Sequence, residues 1–493
     1  MKSPATCPAT CPKGRPLPTR GRHSAWAALL GAVLVVFGAA VPGAEGQPAE
    51  SPREKNWAIR GNDKEISAVP VVTGARIVRN DELTRFVLDI SAPVTPKAFV
   101  MADPNRVILD IPEAVFQLDP AIGQPKDRPL ARPGGGRGQM GAKKPGDGVV
   151  PEGAIASFRF GRLAPGKSRI VIDLSEPALI VRATSESDAD GANRLILELA
   201  RSDTAAFSQA AKESIANMPA QKPTRVEVDS AKSPLESGGL PVVVIDPGHG
   251  GIDTGALRYN GTAVEKDLVL EFSRTLAERL RKTARYKVVM TRDEDVFIPL
   301  DERVQIAQAA QAQLFVSVHA DTLRYGGGVS GATVYTVSEK ASDRDAARLA
   351  EQENLADKVA GLDGAEQTSD VSDILFDLTR RETRAYSHLF ARTLVSIWKE
   401  AGSLNKNPMR SAGFRVLKAP DVPSVLLELG YLSSDKDAAQ MRTPEWREKT
   451  ADAVTRSIDS FFAPRIKARS AAGVEAGLDL REEGSPSVAA TLK

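Results

Sequence analysis

From Pro241 to Phe462 the chain alternates short apolar runs with amphipathic stretches, and that alternation restricts the region to an α/β fold. Val242–Asp246, Tyr286–Thr291, Leu314–His319, Val329–Val337 and Ser424–Leu429 read as strands. Val264–Lys282, Leu300–Ala312, Thr383–Lys399 and Pro444–Phe462 read as helices. In the first of these, Val264, Leu268, Phe272, Leu276 and Leu280 line one helical face. Near-continuous apolar strands mark a sheet buried on both sides, so the expected architecture is an open, mostly parallel sheet with helices on both faces. It spans 240–464.

A different grammar precedes it. Over 69–200 the chain is a series of short β-type runs containing an internal repeat. Thr84–Pro93 (TRFVLDISAP) matches Ser168–Pro177 (SRIVIDLSEP), and Asn105–Asp110 (NRVILD) matches Asn193–Glu198 (NRLILE). Two copies of one strand set predict a pseudo-symmetric all-β domain. The Gly-, Pro- and Lys-rich stretch 117–150 between the copies is too poor in apolar residues to bury a core and reads as a disordered insertion. Residues 201–239 read as a linker with a short helix near Ala205–Met218, and the polar tail 465–493 as disordered.

The first 46 residues read as a secretory signal peptide, followed by a flexible lead-in over 47–68. A basic segment to Arg22 precedes an apolar run from Ala25 to Val41 and small residues suited to cleavage. No twin-arginine pair is present, so a general secretion route and a periplasmic destination are expected, with no stable membrane anchor after cleavage. Residues 1–44 hold five basic residues and no acidic one, so losing them takes the formal charge from +2 to −3, which gives no electrostatic case for nucleic acid. Both cysteines, Cys7 and Cys11, lie in the leader. The mature chain then lacks disulfides, and any metal site must use histidine and carboxylate ligands.

Such residues stand out. Val243–Ile245 runs into Asp246-Pro247-Gly248-His249-Gly250-Gly251, and Leu314–Val318 runs into His319, so two core strands each end in a histidine. Ligands bind beyond the carboxyl ends of strands in open α/β sheets. Glu265 opens the first amphipathic helix, where a capping box with Thr262 would also explain it. Glu428 lies among apolar neighbours near the end of a buried strand and needs a partner, an arginine or a metal-site role. Asp246, Asp253 and Asp321 are candidates to orient the histidines. His388, inside a helix, reads as structural or superficial.

His249, Glu265, His319 and Glu428, each within its motif, resemble the zinc N-acetylmuramoyl-L-alanine amidases of the AmiA/AmiB/AmiC type, and the β-domain resembles the AMIN domain that precedes many of them. The resemblance implies that His249, Glu265 and His319 bind one zinc ion and that Glu428 is catalytic. It implies peptidoglycan as substrate, septal splitting as the task, wall targeting by the β-domain and activation by a LytM-domain-type divisome protein. A monomer is the default. The insertion at about 339–382 carries the Ala-rich charged stretch Ser342–Ala356, a strong helix former. The resemblance makes it an autoinhibitory helix whose Glu351, with Glu353 as the second choice, blocks the metal. A zinc peptidase acting on stem peptides, or a non-catalytic wall-binding protein, are the competing readings.

Overall fold

The computed structural model describes residues 69–80, 82–124, 153–217, 239–258, 263–322, 329–362 and 374–482. The expected signal peptide, the lead-in and most of the insertion and linker lie outside the described residues. Among those described, no helix is long and apolar enough to cross a membrane.

Among the described residues, nine strands build the N-terminal β-domain: β1 (Val71–Arg79), β2 (Leu83–Ile90), β3 (Lys97–Met101), β4 (Arg106–Pro112), β5 (Val115–Phe116), β6 (Ile155–Ala164), β7 (Lys167–Leu174), β8 (Ala178–Ser187) and β9 (Asn193–Arg201). They form one sheet in the order β5-β1-β2-β9-β8 and another in the order β3-β4-β7-β6. The sequence repeat explains this arrangement. Each copy gives one strand to each sheet, so β2 of the first copy pairs with β9 of the second, and β4 of the first with β7 of the second. The same charged pair recurs in register: Arg85 opposite Glu198 in one sheet, Arg169 opposite Asp110 in the other.

Two details depart from expectation. Residues 117–124 do not belong to a disordered insertion, because Leu118 and Ile122 pack on the β-core. Helix α1 (Thr204–Ala216) is not linker, because Phe207 and Ala211 are buried in that same core. An apolar side chain as large as Phe207 stabilises burial by roughly 1.5–3 kcal/mol, enough to dock a short helix.

The α/β domain contains β10 (Val242–Pro247), α2 (Glu265–Lys282), β11 (Lys287–Met290), α3 (Leu300–Ala309), β12 (Leu314–His319), β13 (Ala332–Val337), α4 (Arg344–Glu353), α5 (Ala356–Val359), α6 (Ile374–Trp398), β14 (Leu404–Ala412), β15 (Ser424–Glu428), α7 (Asp435–Met441) and α8 (Pro444–Glu482). The strands form a sheet in the order β11-β10-β12-β15-β13-β14, parallel except for the β13–β15 pair. Alternate strand residues face opposite cores. Val243, Val316 and Leu427 pack with Phe272, Phe390 and Val454 of α2, α6 and α8. Val244, Phe315 and Leu426 pack with Leu300 and Leu349 of α3 and α4.

Strand β14 was not anticipated, since its polar composition and Pro408 suit an edge position that lacks an apolar period. Helix α6 begins earlier than expected. Helix α8 runs on to Glu482 where a disordered tail was expected, because 465–482 is rich in Ala, Arg, Leu and Glu, all good helix formers.

Candidate metal centre

Strands β10 and β12 are parallel neighbours, so both deliver their carboxyl ends to one edge of the sheet. The chain leaves β10 through Gly248 and His249, and His249 adopts a left-handed backbone (φ 58°) that swings its ring toward His319. The glycines around it are dictated by closeness. A Cβ on Gly248 would collide with the His319 imidazole, and one on Gly255 would come within 2.6 Å of Glu265 Oε2. Two buried arginines hold the turn. Arg292 donates to the carbonyls of Pro247 (3.0 Å) and Gly248 (2.8 Å), and Arg303 to those of Pro247 (2.8 Å) and His249 (2.7 Å). Neither arginine carries a sequence signal that separates it from surface arginines.

Glu265 reaches the same point from the start of α2. Val264 is the helix N-cap and makes no side-chain cap, so the capping-box explanation is not the one the fold uses. Instead, Oε2 accepts from the Ala256 N–H and Oε1 from the Ala320 N–H, each at 2.8 Å. These bonds aim Oε1 between the two histidines, 3.1 Å from His249 Nε2 and 3.2 Å from His319 Nδ1. His249, Glu265 and His319 offer ligand atoms that all lie within 4.8 Å of one another, and all three residues are buried.

The fourth corner is occupied by Glu353, the last residue of α4. Its Oε2 lies 3.4 Å from His249 Nε2 and 3.3 Å from His319 Nδ1. Glu351, expected to take this place, is exposed, while Glu353 is buried. The choice therefore passes from Glu351 to Glu353. Ala346, Leu349, Ala350 and Glu353 fall at helical spacing on the docked face, and Glu351 points away from it.

The donor set fits a small divalent ion. Bonds of about 2.0–2.1 Å in a tetrahedron require edges of roughly 3.4 Å. The separations between histidine nitrogens and the two glutamates are 3.1, 3.2, 3.3 and 3.4 Å. His249 Nε2 is buried and has no hydrogen-bond partner, as a ligand lone pair should be. Its other nitrogen, Nδ1, faces Asp253 Oδ2 at 2.8 Å, which sets the tautomer that frees Nε2. Burial works to lower the proton affinity of His249, yet the charges of Asp253, Glu265 and Glu353 outweigh it and raise that affinity well above the ordinary value. The pocket is thus built for added positive charge.

Of the other aspartates, Asp246 serves the scaffold. It accepts from Thr291 (2.6 Å), Ser317 (2.7 Å) and Arg303 (2.8 Å), and acts on His249 only through Arg303. Asp321 accepts from Gln352 of α4 at 3.0 Å. Glu428 is fully buried at the end of β15, in register with His319 on β12. Oε2 accepts the Asp321 N–H at 3.0 Å, and Oε1 has no partner. Burial, then the negative charges of Glu265, Asp321 and Glu353, push its carboxyl well above the usual range. No arginine pairs with it among the described residues, so the ion-pair explanation is not the one the fold uses. His388 sits exposed on α6.

The sequence has relatives. A family described as N-acetylmuramoyl-L-alanine amidase matches residues 243–460. The amidase AmiA of Escherichia coli K12 is 38% identical over 228 residues, covering 46% of this chain and 78% of that one. The chain belongs to the N-acetylmuramoyl-L-alanine amidase family. A second member, AmiC of Escherichia coli O6:H1, is 29% identical over 420 residues, 83% of this chain and 93% of its own, so that match extends across the β-domain. The solved structure of the amidase AmiC2 of Nostoc punctiforme is 26% identical and covers 46% of this chain and 99% of that chain, with a TM-score of 0.33.

Proposed function

We propose that this family member is an exported zinc amidase that cleaves the amide bond between N-acetylmuramic acid and L-alanine in peptidoglycan, and that it rests in an inhibited state. The observation that carries the reading is the cluster of His249, Glu265 and His319 around one point, with Glu353 at the remaining corner. Bound there, a zinc ion supplies a polarised scissile carbonyl and a water that ionises near neutral pH.

His249, Glu265 and His319 hold the ion, and Asp253 keeps His249 in the tautomer that can bind. Glu428 accepts a proton from the attacking water at Oε1, the oxygen with no partner in the folded chain. Its raised proton affinity suits it to hold that proton and then deliver it to the departing L-alanine nitrogen. His249, His319 and Glu428 are at most 8% exposed, so the described residues leave no open face for a glycan strand while α4 is docked.

Turnover therefore requires α4 to leave, taking Glu353 with it and opening the coordination place that water and substrate need. Displacement by a LytM-domain-type activator, export to the periplasm, wall binding by the β-domain and action at the septum complete the proposal. The test is digestion of purified sacculi by the full chain with and without a zinc chelator. Chelator-sensitive release of stem peptides with a free L-alanine amino end supports it; chelator-insensitive activity, or cleavage within the stem peptide, counts against it.

A further inference from the structure

The α4–α5 segment is pinned at both ends, and the two pins come from different domains. At its start Asp343 caps α4, accepting from the Asp345 and Ala346 N–H groups at 3.0 and 2.9 Å, and pairs with Arg410 of β14 at 3.2 Å. At its end the carbonyls of Lys358 to Gly361, in the last turn of α5 and just after it, face the outer surface of the β3-β4-β7-β6 sheet. Arg106 of β4 donates to Lys358 O, Arg159 of β6 to Val359 O at 3.4 Å, and Arg169 of β7 to Ala360 O and Gly361 O at 2.9 and 3.0 Å. Each guanidinium is held by an acid of its own sheet: Asp173 takes Arg106 and Arg159, and Asp110 takes Arg169.

The contact is apolar and close. Ile108, Leu163 and Val171 of the β-domain cluster with Ala360, Ile252 and Phe297 of the α/β domain. A Cβ on Gly361, whose φ is +68°, would come within 2.6 Å of Ile108 Cδ1. Ile252 belongs to the loop that carries His249, so one sheet face touches both the metal loop and the segment that closes it. The repeat supplies an internal comparison. Arg85, the counterpart of Arg169, pairs with Glu198 at 2.7 Å on the other sheet and is 46% exposed, whereas Arg169 is 2% exposed.

Helix α4 has only ten residues and is marginal without tertiary contacts. Its own domain supplies part of them, through buried Ala346, Leu349 and Ala350, the bond from Gln352 to Asp321 at 3.0 Å and that from Asn354 to Gly413 O at 2.9 Å, and the β-domain supplies the rest. We infer that the β-domain is half of the lock on the metal centre: Arg106, Arg159 and Arg169 grip the end of α5 and thereby keep Glu353 at the metal. Undocking of the β-domain and release of the glutamate are one coupled event. This rests on the inhibited state proposed above.

The test uses the full, zinc-loaded chain. Amide hydrogen exchange over 344–362 and basal sacculus digestion are compared for wild type, Arg106→Gln/Arg159→Gln, Arg169→Gln, Gly361→Ala and Glu353→Gln. The Arg85→Gln variant controls for damage to the β-domain. Gly361→Ala attacks the contact from the other side and leaves the β-sheet intact, in case the arginine variants fold poorly. Expected are at least about tenfold faster exchange over 344–362 in the latch variants and not in Arg85→Gln, with basal digestion rising toward that of Glu353→Gln. Unchanged exchange and digestion in the latch variants, with Glu353→Gln active, would overturn the latch and leave the inhibited state standing. A silent Glu353→Gln would remove the inhibited state and the latch with it.

Discussion

Glu353 Oε2 sits 3.4 Å from His249 Nε2, at the end of a helix that belongs to an insertion and not to the minimal sheet. The carboxylate and the imidazole come from segments far apart in the chain, and their meeting closes the centre. Burying a carboxylate without compensation is costly, and a cation shared with His249, Glu265 and His319 would supply that compensation.

Replacing Glu353 by Gln should raise basal turnover at least about tenfold, equivalent to about 1.4 kcal/mol lost from the docked state. Replacing the exposed Glu351 by Ala should leave it unchanged. Rates of dyed-sacculus release without any activator distinguish the two.

Glu428→Gln should lower turnover by about 10²–10⁴-fold, the usual cost of losing a positioned proton carrier. One zinc per chain should remain, measured by elemental analysis, because Glu428 touches the Asp321 N–H and not the ligand cluster.

Asp253→Asn should weaken zinc binding about 10–100-fold, read by competition with a chromogenic chelator. The amide keeps the shape but no longer selects the His249 tautomer through Nδ1.

How much of this was legible in the sequence differs residue by residue. His249 and His319 end apolar strands, and Glu428 interrupts one, so local pattern and strand adjacency are enough to bring them together. Glu353 required more. Two residues along a helix rotate the side chain by roughly 200°, so choosing between Glu351 and Glu353 means knowing the docked face. That face was written in Ala346, Leu349 and Ala350, whose spacing continues to Glu353, but three small or isolated apolar residues make a faint stripe. Arg292, Arg303 and the three latch arginines were not legible, since an arginine that gathers backbone carbonyls depends on loops meeting in space. The pairing of the repeat across two sheets was likewise invisible, although the repeat itself was plain.

Acid should loosen the domain contact. Burial alone would raise the Asp110 carboxyl, but hydrogen bonds and charge from Arg169 and Lys167 outweigh it and hold it below its ordinary value of 3.8. Its contribution to stability is therefore complete above the unfolded carboxylate range and fades as pH falls through the lower folded value. The melting-temperature gap between wild type and Asp110→Asn should be widest near neutrality and shrink as pH drops below about 4. A gap that stayed constant down to the lowest pH at which the chain folds would show that the ion pair carries no linkage.

The most direct measurement is the product mass spectrum of sacculi digested by the full-length Glu353→Gln chain loaded with one zinc. Stem peptides bearing a free L-alanine amino end beside intact glycan strands are expected, and neither should be released once the metal is stripped. Undigested sacculi at full zinc occupancy, or fragments cut inside the stem peptide, would contradict the proposed amidase activity.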